Sequence, residues 1–451
     1  MFLKKVESKG LAHNSWMIGD AGEVFVVDPR RDVSVYMDIA NENGYRISGI
    51  LETHRHEDFI IGSKELGEKT GAPVYVSAHE DLGHVYGEAI EDGREFSVGN
   101  LKIRAIHTPG HTLGHLCYAV YEKGEQSAYR VFTGDCLFTG DLGRTDFYGE
   151  ENLEKMTGLL YDSVFEKLMP LGDHVLVLPA HGAGSACGSN MKELPFSTLG
   201  YERLTNPELQ AESREAFIEK FGRMRIKPRY FEAMEVYNVK GAAYPRCRHT
   251  LPLLSLEEVR EKGYTIIDAR SRQAYSAAHI PSSIYLSRNN FSTFLGTLFP
   301  NDEAIVFTAD YDDMEMIMSL YRSALRVGFD QVKGYLQSPV EASRYTDIYP
   351  EALDLISAED FLALDDAFLL DVRKAEEFSD GDPAENRVNI PLQLLYKEYE
   401  KLPKNENIYI LCASGDRAST AASYLKRLGY KVTVIDGGAE AVRYEKSKAE
   451  A

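Results

Sequence analysis

The chain has 451 residues, of which 44% are hydrophobic, and a formal net charge of −20 at neutral pH. This length exceeds what one hydrophobic core usually supports and predicts about three domains. The excess of Asp plus Glu over Lys plus Arg, 70 against 50, argues against nucleic acid or an anionic membrane as a partner. No run of about 18 apolar residues occurs, so we expect no membrane-spanning helix.

The N-terminal residues are mixed in polarity and lack the apolar stretch of a signal peptide. The five cysteines, Cys117, Cys136, Cys187, Cys247 and Cys412, are far apart and form no CxxC pair. Such a set predicts neither a disulfide framework nor a structural zinc site, and it fits a reducing compartment. We therefore expect a cytoplasmic protein with at least one free thiol.

Short β-branched runs separated by polar turns predict a layered α/β domain at the start of the chain. The predicted strands are residues 23–28, 47–52, 73–77, 101–108, 130–133 and 175–179. A charged helical pattern over residues 207–221 then predicts a solvated connector helix. Pro228 and Pro245 follow it, and we expect a domain boundary near residue 246.

The remainder of the chain contains an internal repeat of about 100 residues. Asp268-Ala269-Arg270 recurs as Asp371-Val372-Arg373, and Ile280-Pro281 recurs as Ile390-Pro391. Each copy alternates apolar strands with helices, which predicts a small parallel sheet in each. The predicted domains are residues 1–245, 246–350 and 351–451.

Histidines and acids cluster in four short motifs near the ends of predicted strands, where α/β folds usually hold their sites. The motifs are Thr53-His54-Arg55-His56-Glu57-Asp58, Thr108-Pro109-Gly110-His111, Thr133-Gly134-Asp135 and Pro179-Ala180-His181. Converging imidazole and carboxylate groups are common ligands of transition metals. One such histidine alone is usually a core or surface residue, but four motifs in this order indicate a metal site.

These motifs resemble those of the metallo-β-lactamase fold family, over roughly residues 1–240. The family loop usually reads THxHxDH, and its last histidine helps to hold a second metal. Phe59 takes that place here, and an apolar ring cannot coordinate. The chain therefore resembles more closely the persulfide dioxygenase branch of the family, which uses one iron. This resemblance implies an αββα sandwich.

By the same resemblance, one Fe(2+) per chain is held by His54, His111 and Asp135, with open positions for O₂ and substrate. The remaining motif residues become groups that orient the ligands or the substrate. These residues are His56, Asp58 and His181.

Two residues near this site have two interpretations each. Arg144 either holds the substrate or fixes its own loop by pairing with Asp146. Cys187, close to His181 in the chain, is either a sulfur relay or a packed thiol.

A second reactive motif lies near the C-terminus. The predicted strand 407–411 ends at Cys412, and a helix is predicted over 418–428. Backbone N–H groups and the positive helix end stabilise negative sulfur in such a loop, which makes the thiolate nucleophilic. Arg417 adds a cation suited to binding an oxyanion substrate. The segment resembles the rhodanese family, whose loop spans six residues from cysteine to arginine.

The first copy of the repeat also resembles a rhodanese through residues 268–270 and 279–281. Its corresponding loop, residues 308–313, reads TADYDD and contains neither cysteine nor arginine. Its three acids would repel an anionic sulfur donor, so we expect this copy to be catalytically silent. In the second copy, Asn389 replaces the usual histidine before Ile390-Pro391, a change that the chemistry tolerates.

Taken together, the resemblance implies a persulfide dioxygenase fused to tandem rhodanese domains. Its expected partners are low-molecular-weight thiol persulfides, O₂ and sulfite, and we expect a homo-oligomer. The iron would oxidise a persulfide to sulfite, and Cys412 would transfer sulfane sulfur to sulfite, giving thiosulfate. Two alternatives stay open. One is a binuclear zinc thioester hydrolase of the glyoxalase II type with a sulfurtransferase tail, and the other is a non-enzymatic persulfide carrier or sensor.

Overall fold

A computed structural model describes residues 1–188, 190–245, 248–308, 313–344, 346–383 and 385–450. Two compact units result: Met1–Cys247 with Leu325–Gly328, and Arg248–Ala324 with Phe329–Ala451. Residues 246 and 247 and residues 309–312 of the predicted silent loop lie outside the described part.

The first unit contains two six-stranded sheets, and in each the strands lie side by side in chain order. The first sheet consists of β1 (Phe2–Ser8), β2 (His13–Asp20), β3 (Glu23–Val27), β4 (Arg46–Leu51), β5 (Val74–Ser77) and β6 (Glu88–Ile90). The second consists of β7 (Glu95–Val98), β8 (Leu101–His107), β9 (Leu116–Glu122), β10 (Arg130–Gly134), β11 (Leu176–Pro179) and β12 (Ser197–Thr198). Its helices are α1 (Ser34–Glu42), α2 (Ser63–Thr70), α3 (Leu153–Asp162), α4 (Leu199–Thr205), α5 (Arg214–Phe221) and α6 (Phe231–Lys240). Strand β3 pairs antiparallel with β2 and parallel with β4, and β10 pairs parallel with β11.

Alternate side chains of β3 are buried on opposite faces of the first sheet, which places this sheet in a middle layer. Phe25 and Val27 pack between the two sheets, whereas Val24 and Val26 pack on the opposite face with Tyr36 of α1. On the outer face of the second sheet, apolar residues of β10 and β11 pack against α3 and α5. Each fully buried aliphatic side chain contributes about 1.5–3 kcal/mol. The predicted αββα sandwich is confirmed.

The prediction of a solvated connector helix over residues 207–221 is wrong. A 3₁₀ turn over Pro207–Gln210 and the separate helix α5 occupy this stretch. Phe217 and Phe221 lie four residues apart, so both face the same side of α5, and both are buried in the core against α3. The charged residues that suggested a solvated helix cover only its outer face.

The second unit contains two parallel sheets, as the repeat predicts. The strands of the first copy are β13 (Thr265–Asp268), β14 (Ile284–Tyr285), β15 (Ile305–Thr308) and β16 (Val332–Leu336), in the order β14-β13-β15-β16. Those of the second copy are β17 (Leu355–Ile356), β18 (Phe368–Asp371), β19 (Arg387–Asn389), β20 (Asn407–Leu411) and β21 (Lys431–Ile435), in the order β17-β21-β20-β18-β19.

Helices cover both sheets. They are α7 (Leu256–Glu261), α8 (Arg272–Ala277), α9 (Phe291–Leu298), α10 (Met314–Arg326), α11 (Pro339–Ser343), α12 (Ala358–Leu362), α13 (Leu395–Glu398), α14 (Asp416–Arg427) and α15 (Gly438–Glu450). None of the helices in the described part of the chain is long and apolar enough to cross a membrane.

The repeated Asp-x-Arg motif is a buried ion pair at the end of a strand. Arg373 donates from Nε and Nη2 to Asp371, with Nη2 2.7 Å from Oδ2, and Nη2 also contacts Asp382 at 2.9 Å. Arg270 donates to Asp268 from the same two nitrogens, again with an Nη2–Oδ2 distance of 2.7 Å. The repeat therefore marks a structural contact in both copies.

Arg373→Met should destabilise the second rhodanese-like copy by about 3 kcal/mol, because it leaves the carboxylate of Asp371 buried without its main cation. Urea unfolding followed by circular dichroism measures the change. Lys431→Met, at an exposed position of β21, is the control and should change stability by less than about 0.5 kcal/mol. Equal unfolding midpoints for the two variants would contradict the structural role.

Candidate metal centre and sulfur-transfer loop

The four predicted motifs meet at one edge of the αββα sandwich. His54 lies just after β4, His111 after β8, Asp135 after β10 and His181 after β11. Ends of strands from both sheets therefore deliver side chains to the same place. His54, His111 and Asp135 bring one potential ligand atom each to within 4.8 Å of one another, and all three residues are buried.

The three inward atoms have no hydrogen-bond partner within the described ranges. His111 Nε2 is 3.5 Å and His54 Nε2 is 3.9 Å from the same oxygen, Asp135 Oδ2. A buried polar atom without a partner costs about 1–3 kcal/mol. Three such atoms aimed at one another, two nitrogens and one anionic oxygen, fit a divalent metal ion.

Neighbouring groups fix the two imidazoles so that Nε2 points inward. His111 Nδ1 is 2.9 Å from the carbonyl oxygen of Arg144, and His54 Nδ1 is 2.9 Å from Thr53 Oγ1. Thr53 in turn donates from its N–H and its hydroxyl to Asp28, at 2.7 and 2.8 Å. Asp28 has a φ of 49°, in the left-handed region that non-glycine residues rarely adopt. These contacts hold the ligand ring in one orientation, as outer groups of metal sites do.

A chain of buried hydrogen bonds orients Asp135. His181 contacts Asp135 Oδ1 through Nδ1 at 2.7 Å and Asp58 Oδ2 through Nε2 at 2.9 Å. Burial opposes its protonation, but the two carboxylates raise the pKa of His181 well above its usual value, so both nitrogens donate. Burial likewise opposes ionisation of Asp135, yet the neighbouring His181 and His111 hold the pKa of that carboxyl below its usual value. Oδ1 is thereby engaged, and Oδ2 faces the two imidazoles.

A glycine makes the close approach of these groups feasible. Gly134 has a φ of 51°, and a Cβ added there would lie 2.5 Å from His115 Nε2 and 2.7 Å from Thr53 Oγ1. His115 Nε2 accepts a hydrogen bond from the N–H of Asp135 at 3.0 Å. Any larger residue would push His115 or Thr53 away from the site.

His56 and Phe59 lie on one side of the centre. His56 Nε2 is 3.2 Å from Asp28 Oδ1, so this ring faces Asp28. Phe59 is fully buried, with ring-centroid distances of 4.0 Å to His13 and 4.6 Å to His56. An apolar ring thus occupies the space beside the two loop histidines.

A second buried group, Asp58, His181 and Cys187, also brings its polar atoms within 4.8 Å of one another. Both nitrogens of His181 are already engaged by Asp58 and Asp135. Burial, together with the Asp135 and Asp58 carboxylates, raises the pKa of the Cys187 thiol well above its usual value. In this arrangement Cys187 is a buried, protonated thiol, which makes it a weak nucleophile.

Arg144 is held within its own loop. Its Nε and Nη2 form a fork with the Asp146 carboxylate at 2.6 and 2.7 Å, and the guanidinium also contacts the carbonyl oxygens of Arg225 and Ile226. The residue is 2% exposed, so the geometry is that of the loop-fixing interpretation.

A small cleft lies beside His54. Its lining residues are Glu52, His54, Arg55, Val76, Ser77, Glu80, Leu82, His84 and Gly114. Burial raises the pKa of Glu52 to about 8, and Glu80 accepts hydrogen bonds from Tyr148 and Gly114. Arg55 brings a cation to this cleft, with Glu57 and Glu235 at 3.4 and 3.7 Å.

In the second unit, Cys412 occupies the loop between β20 and α14. The N–H of Gly415 donates to Cys412 Sγ at 3.1 Å, and Gly415 has a φ of 100°. The sulfur therefore lies at the N-terminal end of a 12-residue helix, whose partial positive charge stabilises an anion.

Arg417 is present beside this loop but is paired. Its two terminal nitrogens contact the Glu377 carboxylate at 2.7 and 2.5 Å. Burial opposes the charge, but the Glu377 hydrogen bonds and the nearby Cys412 raise the pKa of Arg417 further. Asn389 donates to the carbonyl oxygens of Asp371 and Arg373 at 2.9 and 2.8 Å, which gives the replaced histidine position a structural role.

Sequence patterns assigned no role to three residues that position the candidate ligands: Asp28, Thr53 and His115. Asp28 is the last residue of a predicted strand, Thr53 is the first residue of a predicted motif, and His115 lies four residues after His111. Their roles depend on contacts such as Asp28 with Thr53, which pattern reading along the chain does not reveal.

Thr53→Val should weaken metal binding by about 10- to 100-fold, because it removes the hydroxyl that links Asp28 to His54. Thr53→Ser keeps that hydroxyl and serves as the matched control. Competition with a fluorescent chelator measures the affinity, and circular dichroism verifies the fold. Equal affinities for the valine and serine variants would show that this link does not hold the ligand.

Two families match the chain. The Metallo-beta-lactamase superfamily matches residues 8–181, and the Rhodanese-like domain matches residues 255–337 and 351–445. An uncharacterized protein of Mycobacterium leprae is 29% identical over 210 residues, covering 41% of this chain and 92% of that protein. A hydroxyacylglutathione hydrolase of Marinomonas is 29% identical over 240 residues, covering 51% of this chain and 89% of that protein.

Solved structures are similar as well. A metallo-beta-lactamase from Staphylococcus aureus has a TM-score of 0.66 and 29% identity, covering 75% of this chain and 99% of its own. ETHE1 from Myxococcus xanthus has a TM-score of 0.45 and 28% identity, covering 53% of this chain and 98% of its own. The αββα sandwich and the two parallel sheets agree with the family matches. The chain is therefore a metallo-beta-lactamase superfamily domain followed by two rhodanese-like domains.

Proposed function

We propose that the first unit oxidises a thiol persulfide with O₂ at a single iron, and that Cys412 passes sulfane sulfur to sulfite. The observation that carries this proposal is the meeting of His54 Nε2, His111 Nε2 and Asp135 Oδ2, with no hydrogen-bond partners among the described residues. Two histidines and one carboxylate with open positions are typical of non-haem iron oxygenases. Cys412 on the same chain offers a sulfur atom that can accept and carry sulfane sulfur.

The oxidation balances as RSSH + O₂ + H₂O → RSH + SO₃²⁻ + 2 H⁺. Bound iron would supply the activation of O₂, which no amino-acid side chain provides. The protein's part is to hold the ligands and admit the persulfide. The hydrogen-bonded chain of Asp58, His181 and Asp135 keeps Oδ2 directed inward, and the apolar Phe59 ring excludes water from one side.

The cleft beside His54 is the proposed entrance for the persulfide. It reaches a candidate ligand, and Arg55 places a cation in it. Candidate carriers of the persulfide are the thiols glutathione, coenzyme A and bacillithiol. Oxygen uptake measured with the persulfide of each thiol would identify the carrier.

The transfer step uses Cys412 as the nucleophile. Its thiolate attacks the outer sulfur of a second RSSH, forming Cys412–S–S⁻ and releasing RSH. Sulfite then attacks the outer sulfur, the S–S bond to Cys412 breaks, and thiosulfate leaves with the thiolate restored. The N-terminal end of α14 and the Gly415 N–H stabilise negative charge on the sulfur.

A binuclear hydrolase is the second candidate function. The grouping of Asp58, His181 and Cys187 favours it as a source of ligands for a second metal, and one relative is a hydroxyacylglutathione hydrolase. Against it, Phe59 stands where the family's second-metal histidine belongs, and the hydrogen bonds of His181 occupy both its nitrogens.

The purified protein should hold about one iron per chain and consume O₂ when given a persulfide, because three inward ligand atoms suit one metal. Metal analysis and an oxygen electrode, with a panel of persulfides, test this directly. His111→Ala should lose both metal and oxygen uptake. Two zinc ions with thioester hydrolysis and no oxygen uptake would favour the hydrolase.

Cys412→Ser should separate the two reactions. The iron site has its own ligands, so oxygen uptake should continue, but a serine hydroxyl is hardly ionised near neutral pH and cannot form the persulfide. Sulfite should accumulate in place of thiosulfate, as measured by thiol-reactive labelling after a fixed oxygen uptake. Thiosulfate at the wild-type ratio would place the transfer elsewhere, with Cys187 as the first residue to test.

A further inference from the structure

We propose that the silent rhodanese-like copy supplies Arg272 to the Cys412 loop of the other copy, where its guanidinium binds the anionic sulfur acceptor. The inference rests on the sulfur transfer proposed above and adds a substrate-binding residue to that site. Both copies belong to the same compact unit.

Arg272 is the first residue of α8 and lies beside Gly415. A Cβ added to Gly415 would be 2.8 Å from Arg272 Nη1 and 3.3 Å from its guanidinium carbon. The N–H of the same glycine is 3.1 Å from Cys412 Sγ. Gly415 therefore lies next to both the reactive sulfur and the guanidinium, and any side chain at that position would displace Arg272.

The ion pair that Arg272 forms with Asp436 is open to exchange for a substrate. Its Nη1 contacts Asp436 Oδ1 at 2.8 Å, and the Asp436 side chain is 52% exposed. An ion pair with an exposed partner contributes little, so an arriving dianion can compete with Asp436. Arg417, in contrast, is held by Glu377 through two nitrogens. Of the two cations beside the loop, Arg272 is the more available.

The silent copy also restrains the nearest acid of the loop. Tyr285 donates its hydroxyl to Asp416 Oδ1 at 2.7 Å, and the N–H of Tyr285 donates to Ser423 Oγ at 3.1 Å. These contacts hold Asp416, the first residue of α14, against β14. The first copy thus brings a cation to the loop and fixes the side chain of Asp416 through Tyr285.

The step in which Arg272 acts is the attack of sulfite on Cys412–S–S⁻. The new S–S bond forms between the two sulfur atoms as the bond to Cys412 breaks, and thiosulfate and the Cys412 thiolate result. Arg272 keeps its proton throughout. Its charge offsets the repulsion between two anions, and its planar nitrogens match sulfite oxygens.

The full-length protein with Arg272→Ala tests the inference, with Arg272→Lys as the charge-conserving variant. Arg260→Ala, at an exposed position of α7, is the matched control. Transfer of sulfur from thiosulfate to cyanide gives the kinetic constants. Alkylation of Cys412 by anionic iodoacetate and neutral iodoacetamide, followed by mass spectrometry of its peptide, gives a charge-dependent readout that needs no turnover.

Arg272→Ala should raise KM for thiosulfate roughly tenfold with a much smaller change in kcat, and should lower the iodoacetate-to-iodoacetamide rate ratio by a similar factor. Lysine should restore part of both. An unchanged alkylation ratio, or a loss of kcat at constant KM, would overturn the inference. If wild-type protein transfers no sulfur, the proposed transferase function fails, and the alkylation ratio still decides for or against Arg272.

Discussion

The first unit depends on one buried hydrogen-bond chain, from Asp58 through His181 to Asp135. All three groups are inaccessible to water, so each would be costly to bury alone. His181 donates to one oxygen of each carboxylate, which leaves Asp135 with one engaged oxygen and one inward oxygen. The same chain brings the segments after β10 and β11 together with the His54 loop. A metal ion on Asp135 Oδ2 would complete the arrangement by giving the remaining orphaned atoms a partner.

The sequence predicted what is local and periodic. All six predicted strands of the first unit correspond to observed strands, with bounds that agree to within one residue, because β-branched runs ending at polar turns are a strong signal. Six strands of the first unit, β1, β2, β6, β7, β9 and β12, were not predicted. Strand β2, for example, carries His13, Asn14 and Ser15, polar residues that only tertiary contacts bury. The αββα sandwich and the parallel sheets followed from family resemblance and from the repeat.

The sequence predicted the three candidate ligands but not the residues that position them. His54, His111 and Asp135 stood out because each lies near a strand end in a recognisable motif. No pattern predicts a positioning role for Thr53 or His115, and their contacts with the candidate ligands appear only in the fold. The sequence could not decide between the two interpretations of Arg144, because the carbonyl groups that it contacts belong to residues about 80 positions away. Sequence patterns therefore do not predict hydrogen bonds between residues that are far apart in the chain.

Because the two copies share one frame, a copy whose loop lacks cysteine and arginine can still contribute residues to the site of the other copy. Both copies preserve the Asp-x-Arg ion pair and the parallel sheet, so each provides a stable frame. The sequence after β15 contains neither cysteine nor arginine in its loop, and in the proposed transfer step Arg272 of this copy would contribute to the neighbouring site instead. If persulfide oxidation occurs in the first unit, sulfite forms on the chain that carries Cys412, which raises its effective concentration there. Sulfite is a dianion above its second pKa and would be repelled by a chain of net charge −20. Capture therefore requires local positive charge, which Arg272 would supply in the proposed site.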